Sequence, residues 1–353
     1  MPHPRPTLAD VAAAAGVSVS TASLAFSGAG PIAAATRDRV LEHAKALGYS
    51  GPNPLGRQLR RGRSGIVGVV VGDALRRSFR DPVSVQVLDG ITAEIGPLGL
   101  GVLLIPGSHD EAEPTIDPLL QSAAMDVAIM LWGGTLDERV LDVLQRRGIP
   151  TVLIEGRAEP GRSVVDIADR TGIAEVTRML VGQGHRRIAV VTLPFGPDHV
   201  TGVADDRRRG AMRWHLTRRR LAGVYDAGVE PVAIYESAGS LIEHGAAAAR
   251  VLLAGPDRPT AVLCQSDLLA GGVVVAAREL GLRVPQDVSV AGFDGLDLPW
   301  LAPDVLTSVR QPLAEKGRAA AREAMRLLAG EPAQSIELPV ELVVGTTTAP
   351  PAS

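Results

Sequence analysis

Apolar residues in the first 50 positions recur at helical spacing and outline three short helices. The first helix begins near Leu8 and stops at Gly16, because glycine adopts the left-handed backbone conformation that a tight turn requires. A second helix is predicted over residues 18–27, and a third, amphipathic helix from about 36 to 47. The pattern therefore predicts a small all-α unit at the N-terminus.

From residue 65 onward, short apolar runs alternate with helical patterns, which is typical of parallel α/β sheets. Two sets of similar size predict two α/β lobes around a cleft. The predicted strands cover residues 66–71, 101–105, 127–131 and 151–154, then 187–192, 232–235, 260–265 and 288–293. The predicted helices cover residues 85–98, 118–122 and 137–147, then 173–182, 208–226, 242–253 and 270–280.

Composition places the chain among globular proteins with several cores, since its 353 residues are 46% hydrophobic and 21% charged. We expect neither a membrane span nor a secretory leader, because the sequence has no uncharged apolar run of about 18 residues and no apolar stretch before a cleavage site. Cys264 is the one cysteine and cannot form an internal disulfide, so we expect a cytoplasmic protein.

Charge is distributed unevenly along the chain. Residues 1–63 contain eight Arg and Lys against three Asp and Glu, a formal charge of +5; because the whole chain carries −3, the remainder carries −8. A basic unit joined to an acidic body favours a module that binds a polyanion. Two short helices joined by a glycine turn are typical of helix-turn-helix DNA-binding units, although a small helical cap has the same pattern.

The residue identities favour DNA binding. The segments Thr7-Leu8-Ala9-Asp10-Val11-Ala12, Ala15-Gly16-Val17-Ser18-Val19-Ser20-Thr21-Ala22-Ser23, Thr36-Arg37-Asp38-Arg39-Val40 and Leu47-Gly48-Tyr49 closely resemble the headpiece of the lactose/galactose repressor family of bacterial transcription regulators. The resemblance continues in 184–188, 285–294 and 306–312. It implies an all-α helix-turn-helix headpiece followed by an α/β core of two doubly wound lobes, as in periplasmic sugar-binding proteins.

The resemblance also implies a set of DNA-binding residues in the headpiece: Thr7, Ser18, Val19, Ser20, Thr21, Ser23 and Leu24. Val19 and Ser20 are expected to face base edges, whereas Thr21 and Ser23 hold phosphates. Leu24 stands where the family often has arginine; it cannot bind guanine in a bidentate manner and favours apolar contact, for example with a thymine methyl group.

The segment Pro52-Asn53-Pro54-Leu55-Gly56-Arg57-Gln58-Leu59 resembles the family's hinge, which becomes helical on DNA and inserts a leucine into the minor groove. Leu59 matches that wedge, and Asn53 and Arg57 join the predicted DNA-binding set. A plain linker is the alternative, which Gly56 favours because glycine weakens a helix.

The predicted division of the chain follows from these segments. The headpiece covers residues 1–50, the hinge 51–63, the two-lobed core 64–345 and a tail 346–353. The first lobe is predicted to contain residues 64–162 and 295–310, and the second lobe 163–294 and 311–345. The family's core crosses between its lobes three times, and the resemblance implies that these crossings lie near Ser163, Gly295 and Arg310.

A ligand site is expected in the cleft, beyond the carboxyl ends of the strands. Asp267 follows a predicted strand and matches a ligand-contacting aspartate of the family; its carboxylate suits the hydroxyls of a sugar or another polyol. A helix N-cap is the alternative role for Asp267. Ser266 replaces the family's usual asparagine, which bears on the choice of ligand.

A basic partner for the ligand is also implied by the resemblance. Arg220 matches an effector-contacting arginine of the family, but a shifted alignment of this segment leaves Arg207 as an alternative. Either arginine could instead lie on a solvated helix face. Asp81, Glu155 and Asp294 are further candidates for the cleft, because they follow predicted strands or lie in crossover segments. Trp300 could stack on a sugar, or it could be a core residue.

Two other classes of function fit the sequence less well. An enzyme is disfavoured, since the chain has no G-x-S-x-G, P-loop or G-x-G-x-x-G motif and no paired-His spacing; no cofactor or metal is expected. A transport-binding protein is disfavoured by the headpiece. We therefore predict a homodimeric repressor that binds a palindromic operator and responds to a small molecule, as an inducer or as a corepressor.

Overall fold

The computed structural model describes residues 6–27, 30–51, 62–72, 75–107, 116–132, 138–157, 159 and 161–352. The chain divides into two compact units after Gly65. The predicted hinge, residues 51–63, lies largely outside the described residues.

The first unit contains the three predicted helices: α1 (Leu8–Ala14), α2 (Val19–Ser27) and α3 (Ala34–Ala46). They enclose a small core of seven buried aliphatic residues, namely Val11, Ala12, Ala15, Ala22, Ala25, Val40 and Ala44. Phe26 and Tyr49 close this core with an edge-to-face contact at 5.5 Å between ring centroids. Small side chains let the three helices approach closely, so the unit needs few residues.

The second unit contains two sheets. Its strands are β1 (Ile66–Val71), β2 (Gly101–Pro106), β3 (Val127–Leu131), β4 (Thr151–Ile154), β5 (Ser163–Ile167), β6 (Ile188–Thr192), β7 (Gly202–Val203), β8 (Ala233–Glu236), β9 (Ala261–Cys264), β10 (Ser289–Asp294), β11 (Thr307–Arg310), β12 (Ser335–Leu338) and β13 (Glu341–Val343). The helices are α4 (Leu75–Ser78), α5 (Pro82–Ile95), α6 (Pro118–Ser122), α7 (Glu138–Arg146), α8 (Asp169–Gly182), α9 (Asp206–Gly210), α10 (His215–Asp226), α11 (Ile242–Leu252), α12 (Asp267–Glu279) and α13 (Leu313–Leu328).

Each sheet is the centre of one lobe. In the described part of the chain, the N-lobe sheet has the order β12-β5-β4-β3-β1-β2 and is parallel throughout. The C-lobe sheet has the order β13-β11-β10-β9-β6-β8-β7, with antiparallel pairing at β13 and β7. Both faces of each sheet carry an apolar core, so the predicted doubly wound α/β architecture is confirmed.

The predicted lobe boundaries are wrong at two of the three crossings. Strand β5 pairs with β4, with Val164 opposite Leu153, so the first crossing follows Ile167 rather than preceding Ser163. The chain does not cross at Gly295, because β11 pairs with β10 and residues 295–310 therefore belong to the C-lobe. The crossing after Arg310 is real, but α13 and β12 then lie in the N-lobe, and the third crossing is between β12 and β13.

The predicted tail is also part of the C-lobe. The Thr347 hydroxyl donates to the Val290 carbonyl at 2.7 Å, and the Thr307 and Thr348 hydroxyls bond at 2.9 Å. Thr347 is completely buried, since these hydrogen bonds fix residues 346–349 against β10 and β11. A threonine-rich terminus without apolar spacing gave no sign of this packing.

Two helices differ from the predicted pattern. The single helix predicted over residues 208–226 is two helices, α9 and α10, because the Arg213 and Trp214 amides turn away to bond the Phe195 carbonyl at 2.8 and 2.9 Å. Helix α13 was not predicted, and it covers the N-lobe sheet. Among the described residues, no single helix is long and apolar enough to span a membrane; one pair, α1 with α2, passes that test jointly but is bent by 104°.

Candidate functional site

The bend between α1 and α2 has the geometry of a helix-turn-helix, at 104°. Gly16 forms the turn with φ of +64°, as the sequence predicts. Thr7 caps α1 through a capping box with Asp10, and the Ser18 hydroxyl accepts a hydrogen bond from the Thr21 amide at 3.1 Å. A side chain therefore caps the start of each of these two helices.

One face of α2 is available for contact. Val19 is 51% exposed and Ser20 is exposed at the start of this helix, while Ala22 and Ala25 face the core of the headpiece. Exposed apolar and hydroxyl side chains at a helix start suit the edges of bases in a major groove. Leu24 is half-buried, so only part of its surface is available.

The remaining predicted DNA-binding residues divide into two groups. The Ser18 hydroxyl is bonded to the Ser20 and Thr21 hydroxyls, both at 2.8 Å, and the Thr7 hydroxyl donates to Asp10 Oδ2. Ser23 is half-buried. The hinge residues Asn53, Arg57 and Leu59 lie outside the described residues.

Arg220 lies at the centre of a buried charged cluster at the C-lobe side of the cleft. Its Nη1 donates to the Gln265 carbonyl at 2.5 Å and is 4.0 Å from Asp294 Oδ1, and its Nε is 3.7 Å from Asp169 Oδ2. The guanidinium also stacks on Phe293, with 3.9 Å between Cζ and the ring centroid. Packing and charge together hold this side chain at the crossing between the lobes.

The structure distinguishes Arg220 from the alternative, Arg207. Arg220 is 3% exposed, whereas Arg207 is an exposed residue of α9. The sequence could not decide between them because α9 and α10 are both basic. Only Arg220 faces the charged cluster.

A chain of hydrogen bonds joins this cluster to the N-lobe. Lys316 Nζ, on α13, donates to Glu155 Oε1 and, at 2.5 Å, to Gln311 Oε1. Gln311 Nε2 in turn donates to Asp294 Oδ1 at 2.7 Å. The three predicted residues Glu155, Arg220 and Asp294 are therefore brought together across the two lobes.

Burial and neighbouring charges together shift the pKa values of these carboxyl groups. It raises the pKa of Asp169 to about 6, although Arg220 and Arg219 act in the opposite direction. Burial also raises the pKa of Asp294 well above its ordinary value, so this group keeps its proton to a higher pH and can donate a hydrogen bond. For Glu155, burial acts against the charge, but Lys316 and Arg220 outweigh it and lower the pKa.

Three buried polar atoms of the cluster have no hydrogen-bond partner within the described part of the chain: Glu155 Oε2, Asp169 Oδ2 and Arg220 Nε. Unpaired buried polar atoms are rare in folded proteins and call for an explanation. Arg220 Nε and Asp169 Oδ2 lie 3.7 Å apart and compensate each other's charge, so Glu155 Oε2 is the acceptor that a ligand hydroxyl could satisfy.

Asp267, the predicted ligand-contacting aspartate, is hydrogen-bonded within the C-lobe. The Ser308 hydroxyl donates to its Oδ1 at 2.6 Å and the Leu296 amide donates to its Oδ2 at 2.7 Å, so both oxygens are occupied within the C-lobe. Burial raises its pKa to about 6. The N-cap of α12 is Ser266, which accepts from the Leu269 amide, so the expectation of Asp267 as N-cap is wrong by one residue.

Asp81 lies near the cluster, whereas Trp300 contacts helix α12. Asp81 caps α5 by accepting from the Val83 amide and the Ser84 hydroxyl, both at 3.0 Å; burial raises its pKa, and Lys316 is near enough to oppose that shift. Trp300 is 44% exposed beside Gly271, so the alternative of a buried core tryptophan is wrong.

Four members of the cluster were not predicted from the sequence: Asp169, Arg219, Gln311 and Lys316. Asp169 follows strand β5, which was not predicted, and Gln311 lies in the segment 306–312, which was noted only because it resembles the repressor family. Lys316 lies on α13, which was not predicted either. No group of three or more His, Cys, Asp and Glu side chains in the described ranges could hold a metal ion.

Comparisons with known proteins agree with both units. The model for bacterial regulatory proteins of the lacI family matches residues 7–53, and that for a periplasmic binding protein-like domain matches residues 177–348. A helix-turn-helix transcriptional regulator of Mycolicibacterium smegmatis is 35% identical over 99% of both chains.

Two solved structures are similar over nearly the whole chain. A complex of the transcriptional regulator CelR with cellobiose is 28% identical, with a TM-score of 0.66 over 97% of this chain and 100% of that one. The Lac repressor dimer bound to operator and an anti-inducer has a TM-score of 0.78 at 24% identity, over 98% and 100%. With its helix-turn-helix and two-lobed core, this chain belongs to the lacI family of bacterial regulatory proteins, a family of DNA-binding transcription regulators.

Proposed function

We propose that the chain is a homodimeric repressor that binds a palindromic operator and releases it when an uncharged, sugar-like polyol binds between the lobes. The observation that carries the ligand part is the buried cluster, in which Glu155 Oε2 has no hydrogen-bond partner among the described residues and Arg220 Nε lies 3.7 Å from Asp169 Oδ2, too far for a hydrogen bond. The Lac repressor dimer on operator and the CelR–cellobiose complex support the two halves of the proposal by analogy. A regulator of bacterial genes acts at the chromosome, in the cytoplasm.

In the DNA complex, Val19 and Ser20 read base edges from the start of α2. Leu24 adds apolar contact through the part of its side chain that is exposed. Thr7, Ser18, Thr21 and Ser23, with the helix-start amides, hold phosphates, because hydroxyls can exchange their present bonds for phosphate oxygens. The hinge residues Asn53, Arg57 and Leu59 enter the minor groove, with Leu59 as the wedge.

In the ligand complex, Arg220 donates to ligand oxygens, and Glu155, Asp169 and Asp294 accept from ligand hydroxyls. Asp81 and Asp267 position the cluster, and Trp300 lies at the rim of the site. Acidic side chains outnumber basic ones here, which favours an uncharged ligand over a phosphorylated one. Closure of the lobes on the ligand then changes the pairing of the two hinges in the dimer.

The DNA part is tested by selecting bound sequences from a random duplex library with the full chain, at two salt concentrations. We expect a palindrome of two half-sites and a binding constant that falls steeply with salt. In the Leu59→Ala variant, the preference for a flexible base-pair step at the centre of the palindrome should be lost. Failure to enrich any sequence would refute operator recognition.

The ligand part is tested by calorimetric titration of the full chain with ribose, glucose, maltose and cellobiose, each beside its phosphorylated counterpart where one exists. We expect one uncharged sugar to bind and to lower the affinity for the selected operator. Binding of only the phosphorylated forms would refute the proposed ligand class. If the sugar instead raised the affinity for the operator, it would be a corepressor and not an inducer.

A further inference from the structure

We propose that Glu155 and Lys316 form a ligand subsite on the N-lobe that recognises two adjacent hydroxyl groups of the polyol. One hydroxyl donates to Glu155 Oε2, and its neighbour accepts from Lys316 Nζ. This inference rests on the proposed function, because it assigns the N-lobe half of the same ligand site.

The backbone presents Glu155 at the carboxyl end of β4. Its amide donates to the Val165 carbonyl at 2.9 Å, and its φ of +54° is in the left-handed region that non-glycine residues rarely occupy. Trp132, at the carboxyl end of the neighbouring strand β3, has a φ of +58°. Such backbone conformations cluster at binding sites, where the surrounding structure enforces them.

Lys316 completes the subsite from the helix that covers this sheet. The side chain is fully buried, and two of the three ammonium N–H groups serve Glu155 Oε1 and Gln311 Oε1. Nζ lies 5.0 Å from the centroid of the Trp132 ring. The sequence contains only one other lysine, Lys45, in the headpiece.

A purely structural role explains these observations poorly. A buried ion pair is weak evidence for stability, since apolar residues of similar volume often replace one without loss. Among the described residues, the pair also leaves Glu155 Oε2 buried without a hydrogen-bond partner, which a structural ion pair should avoid. A ligand hydroxyl supplies the missing donor.

The position of the pair connects it to the rest of the ligand site. Gln311 links Lys316 to Asp294, and Asp294 lies 4.0 Å from Arg220. The charges of Arg220 and Lys316 both act on Glu155, so the N-lobe and C-lobe groups share one electrostatic environment. A polyol between them can be held from both lobes at once.

The chemistry of the pair selects an uncharged diol. Glu155 Oε2 accepts a proton donor, and the ammonium donates, so adjacent hydroxyls satisfy both atoms. A phosphate or carboxylate at the same place would be repelled by Glu155, and by Asp169 beyond it. The flat Trp132 ring can pack beside the C–H face of a sugar.

The first experiment measures, by calorimetry, the Kd of the sugar that binds in the titration above and of its single-deoxy analogues. We expect removal of either of two neighbouring hydroxyls to weaken binding by about tenfold or more in the natural chain. In the charge-balanced variant Glu155→Gln/Lys316→Met, these two deoxy penalties should disappear, while penalties at other positions persist. The matched control is Glu279→Gln/Arg250→Met, which removes an exposed ion pair of 2.8 Å in the C-lobe.

The second experiment is independent of any variant that fails to fold. Chain labelled with ¹³C-lysine has two lysine signals, and Lys316→Met assigns them. Saturating sugar should shift the Lys316 signal in the DNA-free protein, and Lys45 serves as the internal reference. An unmoved Lys316 signal, or deoxy penalties that survive in the double variant, would overturn the subsite while leaving the proposed function intact. Binding of no uncharged sugar by the natural chain would overturn both.

Discussion

The N-lobe depends on two glycines where helices α5 and α13 cross, and this gives a sharp prediction for stability. A Cβ atom added at Gly90 would lie 1.9 Å from the Ala314 carbonyl oxygen, and one added at Gly317 would lie 2.1 Å from the Val87 carbonyl oxygen. Both obstacles are backbone atoms of the opposite helix, which cannot rotate away. The helices must therefore separate for either Gly90→Ala or Gly317→Ala.

The magnitude follows from two opposing effects. Alanine favours a helix over glycine by about 1 kcal/mol. Overpacking of a core costs about 1–3 kcal/mol, and contact with fixed backbone places these positions at the upper end. We therefore expect a net loss of about 2 kcal/mol in the free energy of unfolding for each variant. Gly182→Ala is the control: this residue of α8 has no heavy atom within 4 Å of the added Cβ, so the chain should gain stability.

Tryptophan fluorescence during urea unfolding measures this quantity in the core alone. Trp132, Trp214 and Trp300 are the tryptophans of the sequence, and all of them lie after Gly65. We expect lower midpoints at unchanged slope for the two crossing variants, and a higher midpoint for the control. Midpoints that rise in all three variants would refute the close crossing of α5 and α13.

Three further predictions concern the caps and the charged cluster. Thr7→Ala removes the side-chain acceptor of the α1 capping box and should cost about 1 kcal/mol, measured as faster amide hydrogen exchange in the headpiece; unchanged exchange would contradict the capping role. Because burial raises the pKa of Asp169 to about 6, its folded form holds a proton that the unfolded chain releases, and this stabilisation is lost as the pH rises through 6. The loss between pH 5 and pH 7 should be about 1 kcal/mol and absent in Asp169→Asn; equal pH slopes in the two chains would exclude the shift. Arg220→Met removes the cation between Asp169 and Asp294, although Arg219 stays 2.7 Å from Asp169; it should cost about 3 kcal/mol and abolish sugar binding, whereas the exposed Arg207→Met should do neither, and calorimetry of both variants distinguishes the two arginines.

Local sequence was sufficient for the headpiece and for most core strands. The Gly16 turn, the caps of α1 and α2 and the apolar stripes depend on residues a few positions apart, so their pattern is visible in the sequence. The runs that became β1, β3, β6 and β9 are continuously apolar because both of their faces are buried. For these elements, periodicity and composition carry the whole signal.

The positions where the chain crosses between the lobes could not be predicted from local sequence pattern. Strand β5 ends in Asp166 and Ile167, and strand β12 alternates exposed and half-buried residues, so neither has a strong apolar run. Their identity as strands comes from pairing with β4 and with each other. The placement of residues 295–310 in the N-lobe, which the family resemblance implied, is wrong because β11 pairs with β10.

The sequence by itself determined the family, the helix-turn-helix and the presence of Glu155, Arg220 and Asp294 at strand ends or on a basic helix. Only the tertiary structure decided which groups meet. The Lys316 ammonium reaches Glu155 across 161 positions of the chain, and Asp267 rather than Asp294 holds the Ser308 hydroxyl. The physical reason is that burial, unpaired polar atoms and charge compensation are properties of contacts between distant segments, and a linear pattern does not contain them.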